Sequence, residues 1–359
     1  MLDGRPTPGI GGDQYLPYER RTGNESIVCF TRELSAAGLR EACSRVAGDI
    51  TGKVRTGEGH GPNIIPPAWV REPLADDLPG ATIVETNTCY EGSRGTAEQH
   101  RRALKVNGWD VAPVDILGER GTALLPVTGG AWFREMSVGA DLLNYDSLLA
   151  LTHFKGRTLG GSGGADENVG IGCADGRIGK AWIHTPVGTD DHGASARRKS
   201  MERMTESSKA VLDRFGRHAA FVNVMRSMSV SCDCEGVGAQ PVVTPDIGIL
   251  ASTDMLAVDQ ACIDLVHAMA EDDRHDLAER IESRHGLRQL SRLEEPGMGN
   301  GRYVLLDMDH DDARIRATDA VAGPARSGAD APGAGGPAIR SLTGCERARP
   351  PHGVRAPSS

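Results

Sequence analysis

The sequence predicts an α/β protein with a mixed, mainly parallel central sheet, helices on both faces and two intimately joined halves. Three observations carry this prediction. Short apolar runs at 81–85, 111–116, 148–152, 221–225 and 247–251 alternate with stretches of helical period. The strand–helix–strand order across 81–116 reads as a βαβ unit, which places its strands parallel. Finally, 46 Gly and 20 Pro suit a loop-rich α/β protein better than a helical bundle, and aromatics at 4% leave the core to Ala, Val, Leu and Ile.

The chain has 359 residues, enough for one large domain or two joined ones. Residues 1–25 hold five Gly and three Pro without apolar period and read as a flexible arm. A single α/β domain then spans 26–320, with halves at about 26–145 and 146–320. Leu34, Leu39, Ala42, Cys43 and Val46 give 32–46 an amphipathic helix. Turn residues fill 56–67, and strand, helix and strand follow at 81–85, 96–106 and 111–116. The strand at 148–152 ends at His153 and feeds a glycine-rich loop over 156–179, then a helix over 201–215. Strands at 221–225 and 247–251 come next, and Asp254 caps the helix after the second. A charged helix over 275–285 and a strand near a sheet edge at 303–308 complete the domain. The segment 323–359, with seven Gly and six Pro, reads as a disordered basic tail of charge +3 on a chain whose net charge is −9.

Composition narrows the function classes. The acidic balance argues against nucleic acid as a partner. No apolar run reaches 18 residues and the start lacks a secretory pattern, so no membrane partner is expected. Eight Cys in a chain of this length do not make a disulfide scaffold, and a cytoplasmic setting is expected.

The most informative stretch is HFKGRTLGGSGGADENVGIGCADGRIGKAWIH at 153–184, with nine glycines between Gly156 and Gly179. Parallel α/β sheets hold ligands beyond the carboxyl ends of their strands, which is where His153 and Lys155 fall. Gly160, Gly161, Gly163 and Gly164 can turn backbone N–H groups onto an anion, with Asn168 beside them. His153 is the expected proton-transfer group, Lys155 the stabiliser of developing negative charge, and His184 a second acid–base group. Arg94, after the strand at 81–85, can hold a carboxylate by a bidentate fork. Cys232 and Cys234 flank Asp233 at a spacing tighter than common zinc sites. With Cys173 they are either ligands of a soft metal or plain buried thiols.

HFKG at 153–156, GGSGGADENVGIGCA at 160–174, CDC at 232–234 and PDIGILASTDMLAVDQACIDLV at 245–266 resemble the domain of unknown function 362 family. TNTCYEGSRGTAEQH at 86–100 and ERIESRHGL at 279–287 resemble it too. The family is associated with iron–sulfur proteins, and many members carry a ferredoxin-like insertion that this chain lacks. The resemblance implies one iron–sulfur cluster on Cys173, Cys232 and Cys234, with zinc or nickel as secondary alternatives. Two positions depart from the family pattern. Arg157 stands where a second His is usual, and Ala165-Asp166-Glu167-Asn168 replaces Ala-Leu-Lys-Asn. The glycine loop also resembles, faintly, that of nickel-dependent lactate racemase.

The functional expectation is a metal- or iron–sulfur-dependent enzyme, of oxidoreductase or lyase type, acting on a small carboxylated metabolite. The alternative is a non-catalytic protein that binds a metallocofactor or small anion. A small anionic molecule, an electron-donor protein and a second copy of the chain are the expected partners.

Overall fold

The computed structural model describes residues 25–46, 52–54, 57, 59–78, 80–184, 194–323 and 326–327. The expected arm at 1–25 and tail at 323–359 lie almost wholly outside the described residues. A seven-stranded sheet organises the rest. Its strands are β1 (Ser26–Thr31), β2 (Gly52–Val54), β3 (Leu148–His153), β4 (Ala219–Met225), β5 (Gly248–Ser252), β6 (Tyr303–Asp307) and β7 (Ala313–Ile315). They lie in the order β7-β6-β1-β5-β4-β3-β2.

The sheet is mixed, and the expectation that it is mainly parallel is corrected. β1 runs parallel to β6, and β3 runs parallel to both β4 and β2. The pairings β1–β5, β4–β5 and β6–β7 are antiparallel. The connections explain why. A parallel return needs a crossover, usually a helix. Between β4 and β5 the chain makes only a 3₁₀ turn at Asp233–Gly238, and β6 turns into β7 through Met308–His310. The expected βαβ unit forms around α3 (Ala97–Val106), but its parallel strands Ile83–Glu85 and Val114–Ile116 pair with each other as a separate small sheet.

Side chains alternate across the strands and build a core on each face. Leu148, Ala150, Phe221, Leu250, Val28 and Phe30 face one core, and Leu149, Leu151, Val222, Ile249, Ala251 and Cys29 face the other. The first is covered by α4 (Ala165–Gly170), α5 (Gly179–His184), α6 (Ala194–Phe215), α7 (Met255–Ala268), α8 (Glu271–Ser283) and α9 (Leu287–Glu294). The second is covered by α1 (Ala36–Ser44), α2 (Pro67–Glu72) and the small parallel sheet. Helices on both faces are thus observed. β1 and β2, from the first half of the chain, sit in one sheet with strands of the second half.

Local signals set the helix starts. Ser35 accepts from the Gly38 N–H, Thr96 and Gln99 form a reciprocal capping box, and Asp254 accepts from the Ala257 N–H to start α7. Two departures from the sequence reading bear on the main sheet and its cover. α6 begins at Ala194 rather than at 201, because the charged run Arg197-Arg198-Lys199 hides the apolar period. No local sequence pattern marks β1, yet it lies inside the sheet between β5 and β6.

Candidate functional site

The carboxyl end of β3 carries a closed polar network. His153, only 1% exposed, has Nδ1 at 2.9 Å from Asp233 Oδ1 and Nε2 at 2.7 Å from the Arg226 carbonyl oxygen. Lys155 is wholly buried; its Nζ donates to the His153 carbonyl at 2.9 Å and lies 3.2 Å from Asp233 Oδ2. Burying such charges is tolerable only when they are paired and hydrogen-bonded. The middle residue of the CDC motif therefore holds the strand end together. Sequence reasoning attended to its cysteines and missed Asp233.

The two departures from the family pattern meet here. Arg157 Nε lies 3.2 Å from Glu167 Oε1, and both side chains are buried. An Arg where a His is usual and a Glu where a Lys is usual thus make one ion pair. Glu167 also faces Lys155 Nζ at 3.9 Å.

The glycine loop folds into a hairpin, with Lys155–Arg157 antiparallel to Gly161–Gly163. Gly161 sits at a φ of +76°, open to glycine at little cost. Gly164 admits no side chain, since a Cβ there would lie 2.4 Å from Asp259 Oδ1. That carboxylate, from α7, accepts the Ala165 N–H at 2.7 Å and the Asp166 N–H at 2.9 Å. The anion received by the end of this loop is thus one of the protein's own. Gln289 Nε2 donates to the Gly160 and Ser162 carbonyls and pins the hairpin to α9.

Beside the hairpin lies a cavity of about 320 Å³. Arg94, Arg157 and Lys180 bring cations to its wall, and Glu85 and Glu167 bring carboxylates. Asn168, His184, Cys89, Cys232 and Cys234 add to its polar lining. Residues from the stretches 85–94, 157–172, 180–184 and 232–234 therefore converge on it, while the stretch from 235 to 254 does not reach the wall. Of the residues singled out from sequence, Arg94, Arg157, His184, Asn168, Cys232 and Cys234 line the cavity. His153, Lys155, Cys173 and the glycines 160, 161, 163 and 164 do not.

Lys180 was not singled out, although it is one of only six lysines and follows a glycine. Its Nζ donates to Thr86 Oγ1 at 2.6 Å and to the Asn87 carbonyl, which ties α5 to the loop after the strand Ile83–Glu85. His184 ends the same helix. Burial and the neighbouring Arg157 and Lys180 cations push its ring down to about 3, so it is neutral at pH 7, and its buried Nδ1 has no hydrogen-bond partner. Deeper in, burial pushes the Asp166 carboxyl up to about 7 although Ser208 and Thr205 donate to it, and raises Asp259 to about 6.

The expected iron–sulfur or metal site is overturned. Among the described residues no group of three or more His, Cys, Asp and Glu side chains is placed to hold a metal ion. Cys173 lies in the helix-covered core with Ala165, Val169 and Val138, away from the cavity. Cys232 Sγ accepts the Cys234 N–H at 3.4 Å and caps the short turn that carries Asp233. The residues present fit neither a cluster nor a zinc or nickel ion.

Residues 58–264, more than half of the chain, match the family described as Domain of unknown function (DUF362). The chain belongs to this family. The iron–sulfur association that the resemblance implied does not extend to this DUF362 protein, whose cysteines are disposed as just described. No curated protein matches the chain. Among solved structures, the lactate racemase apoprotein from Thermoanaerobacterium thermosaccharolyticum is similar over 59% of this chain and 54% of its own, at 12% identity and a TM-score of 0.33. A Thermotoga maritima protein solved in a structural genomics programme is similar over 58% and 52%, at 14% identity and a TM-score of 0.32. The chain spans about half the length of each. Likeness at this level carries no argument about the reaction. Among the described residues no helix is long and apolar enough to cross a membrane.

Proposed function

We propose that this DUF362 protein binds a small carboxylated metabolite in the cavity between the glycine hairpin and α5, and moves a proton on it through His184. One observation carries the reading. A neutral imidazole with an unpartnered, buried Nδ1 shares a cavity wall with Arg94, Arg157 and Lys180. The cations supply a place for a carboxylate. Burial, and after it Arg157 and Lys180, depress the imidazole, so a bound carboxylate that offsets the field of these two cations raises its basicity towards the range where a general base works. The proton then passes from the carbon next to the carboxylate to His184 Nδ1. The electron pair left behind moves into an enolate held by Lys180 and Arg157. His153 and Lys155 act as positioning residues in this scheme, since their hydrogen bonds are internal.

A carrier that binds without turnover is the second reading, favoured by how low the His184 ring lies. Calorimetry with a panel of two- to six-carbon mono- and dicarboxylates, followed by proton NMR of each binder in D₂O, separates the two. The expected result is binding that K180M weakens by about tenfold or more. Deuterium should enter the carbon beside the carboxylate with wild-type protein and not with H184Q. Binding without exchange assigns the carrier, and no binding by any member of the panel rejects both readings.

A further inference from the structure

We infer that the cavity selects short carboxylates that also carry a hydrogen-bond donor, a hydroxyl or an ammonium group, and that Asn168 makes the selection. The inference rests on the carboxylate reading above and narrows its substrate class. Asn168 lies on the cavity wall in α4 and is only 1% exposed. Its amide nitrogen is committed: Nδ2 donates at 3.0 Å to the Leu151 carbonyl and at 2.9 Å to Thr152 Oγ1. The Leu151 carbonyl can only accept, so the amide cannot be turned over without setting oxygen against oxygen. Oδ1 is therefore fixed as the uncommitted polar atom of this side chain, and it is buried without a hydrogen-bond partner.

A buried acceptor left unpaired is costly, and native proteins leave few of them. Here the residue that carries the unpaired oxygen lines the same cavity as His184, whose Nδ1 is also unpaired, and the three cations. A ligand that brings only a carboxylate answers the cations and leaves Asn168 orphaned. One that brings an O–H or N–H as well answers both. Sites built this way reject an analogue lacking the matching group more strongly than apolar pockets reject a missing methylene.

The glycines of the preceding loop acquire a role from this geometry. Gly164 lets Asp259 reach the Ala165 and Asp166 N–H groups, which fixes the start of α4 and so the place of Asn168 three residues further on. Gly160, Gly161, Gly163 and Gly164 thus shape the site through α4 without lining the cavity themselves.

The test uses four three-carbon carboxylates that differ only beside the carboxyl group. Lactate offers a hydroxyl, alanine an ammonium, propionate no polar group, and pyruvate a carbonyl that can only accept. In calorimetric titrations of the full chain, lactate or alanine should bind at least about tenfold more tightly than both propionate and pyruvate. Which of the two leads identifies the donor. N168L should reduce that preference to below about threefold while propionate still binds. Equal affinity of the wild-type protein for all four overturns the inference while leaving the carboxylate reading intact, and this comparison needs no variant to fold. A preference that survives in a folded N168L protein overturns the assignment to Asn168. Failure of all four and of the wider carboxylate panel overturns the parent reading as well.

Discussion

Two buried polar regions lie side by side at the end of β3 and differ in one respect. In the first, every conspicuous group has an internal partner: His153 with Asp233 and the Arg226 carbonyl, Lys155 with Asp233, and Asp259 with the start of α4. In the second, on the cavity wall, the His184 Nδ1 and Asn168 Oδ1 atoms are buried without partners. The first region contains the residues a sequence reader picks for chemistry. The second contains those that have interactions left to offer. Motif density marks where backbone and charge are tightly constrained, and the ligand space opens next to it.

The comparison breaks most visibly at Asp233. Its carboxylate serves His153 and Lys155 together, and all three side chains are buried. D233A strands a buried ammonium and should cost about 3–5 kcal/mol, read from urea unfolding at pH 7. A loss within about 0.5 kcal/mol would show that this network does not hold the strand end. H184Q, on the cavity side, should unfold within about 1 kcal/mol of wild type at the same pH, because it removes a neutral ring whose Nδ1 bonds nothing.

Acidification separates the regions by sign. His184 lies near 3 in the folded protein, against 6.5 when free. Between those values the unfolded chain holds the extra proton, so stability from this group is present above pH 6.5 and is lost as pH falls towards 3. Asp166 is the opposite case, near 7 in the folded protein against 3.8. Between those values the folded chain holds the extra proton, so its contribution is present below pH 3.8 and is lost as pH rises to 7. Relative to wild type, H184Q should therefore gain stability as pH drops from 6.5 to 4, by about 2 kcal/mol after discounting for solvent near the ring. D166N should compare best with wild type above pH 7 and fall behind as pH drops. Chemical unfolding of the three proteins at half-unit pH steps checks both signs, and parallel curves would remove His184 and Asp166 as the titrating groups.

Much of the fold is legible locally, and the site only in part. Runs such as 247–251 and 148–152 are apolar because their strands are covered on both faces, and their periodicity shows it. β1 is no less apolar at Val28, Cys29 and Phe30, but its partners are β5 and β6, more than 200 residues away, and no local pattern specifies that pairing. The same limit hid Asp259, which reads as one polar residue among others in a mostly apolar helix until α4 is seen to start on it. Arg157 and Glu167 were noted singly as departures, and only the hairpin brings them together. Cys173 misled for a related reason. A cysteine in a glycine-rich loop suggests a ligand, yet the loop turns this one into the core, where it packs as a small apolar side chain.

The smallest expected effect sharpens the comparison through the cysteines. Cys173 is fully buried among Ala165, Val169 and Ala174, while Cys234 is half-buried on the cavity wall. Removing a sulfur from a packed core leaves a void that neighbours fill incompletely, so C173A should cost about 1–2 kcal/mol. C234A faces space that already exists and should stay within about 0.5 kcal/mol. The two variants should also part company in ligand binding. Cys173 is not among the residues that line the cavity, so C173A should leave carboxylate affinity unchanged in the folded protein, whereas C234A changes the lining and should shift it measurably. Equal losses of stability in the two variants would mean that both thiols belong to one structural unit, and the separation between the packed core and the ligand wall would have to be redrawn around Cys232.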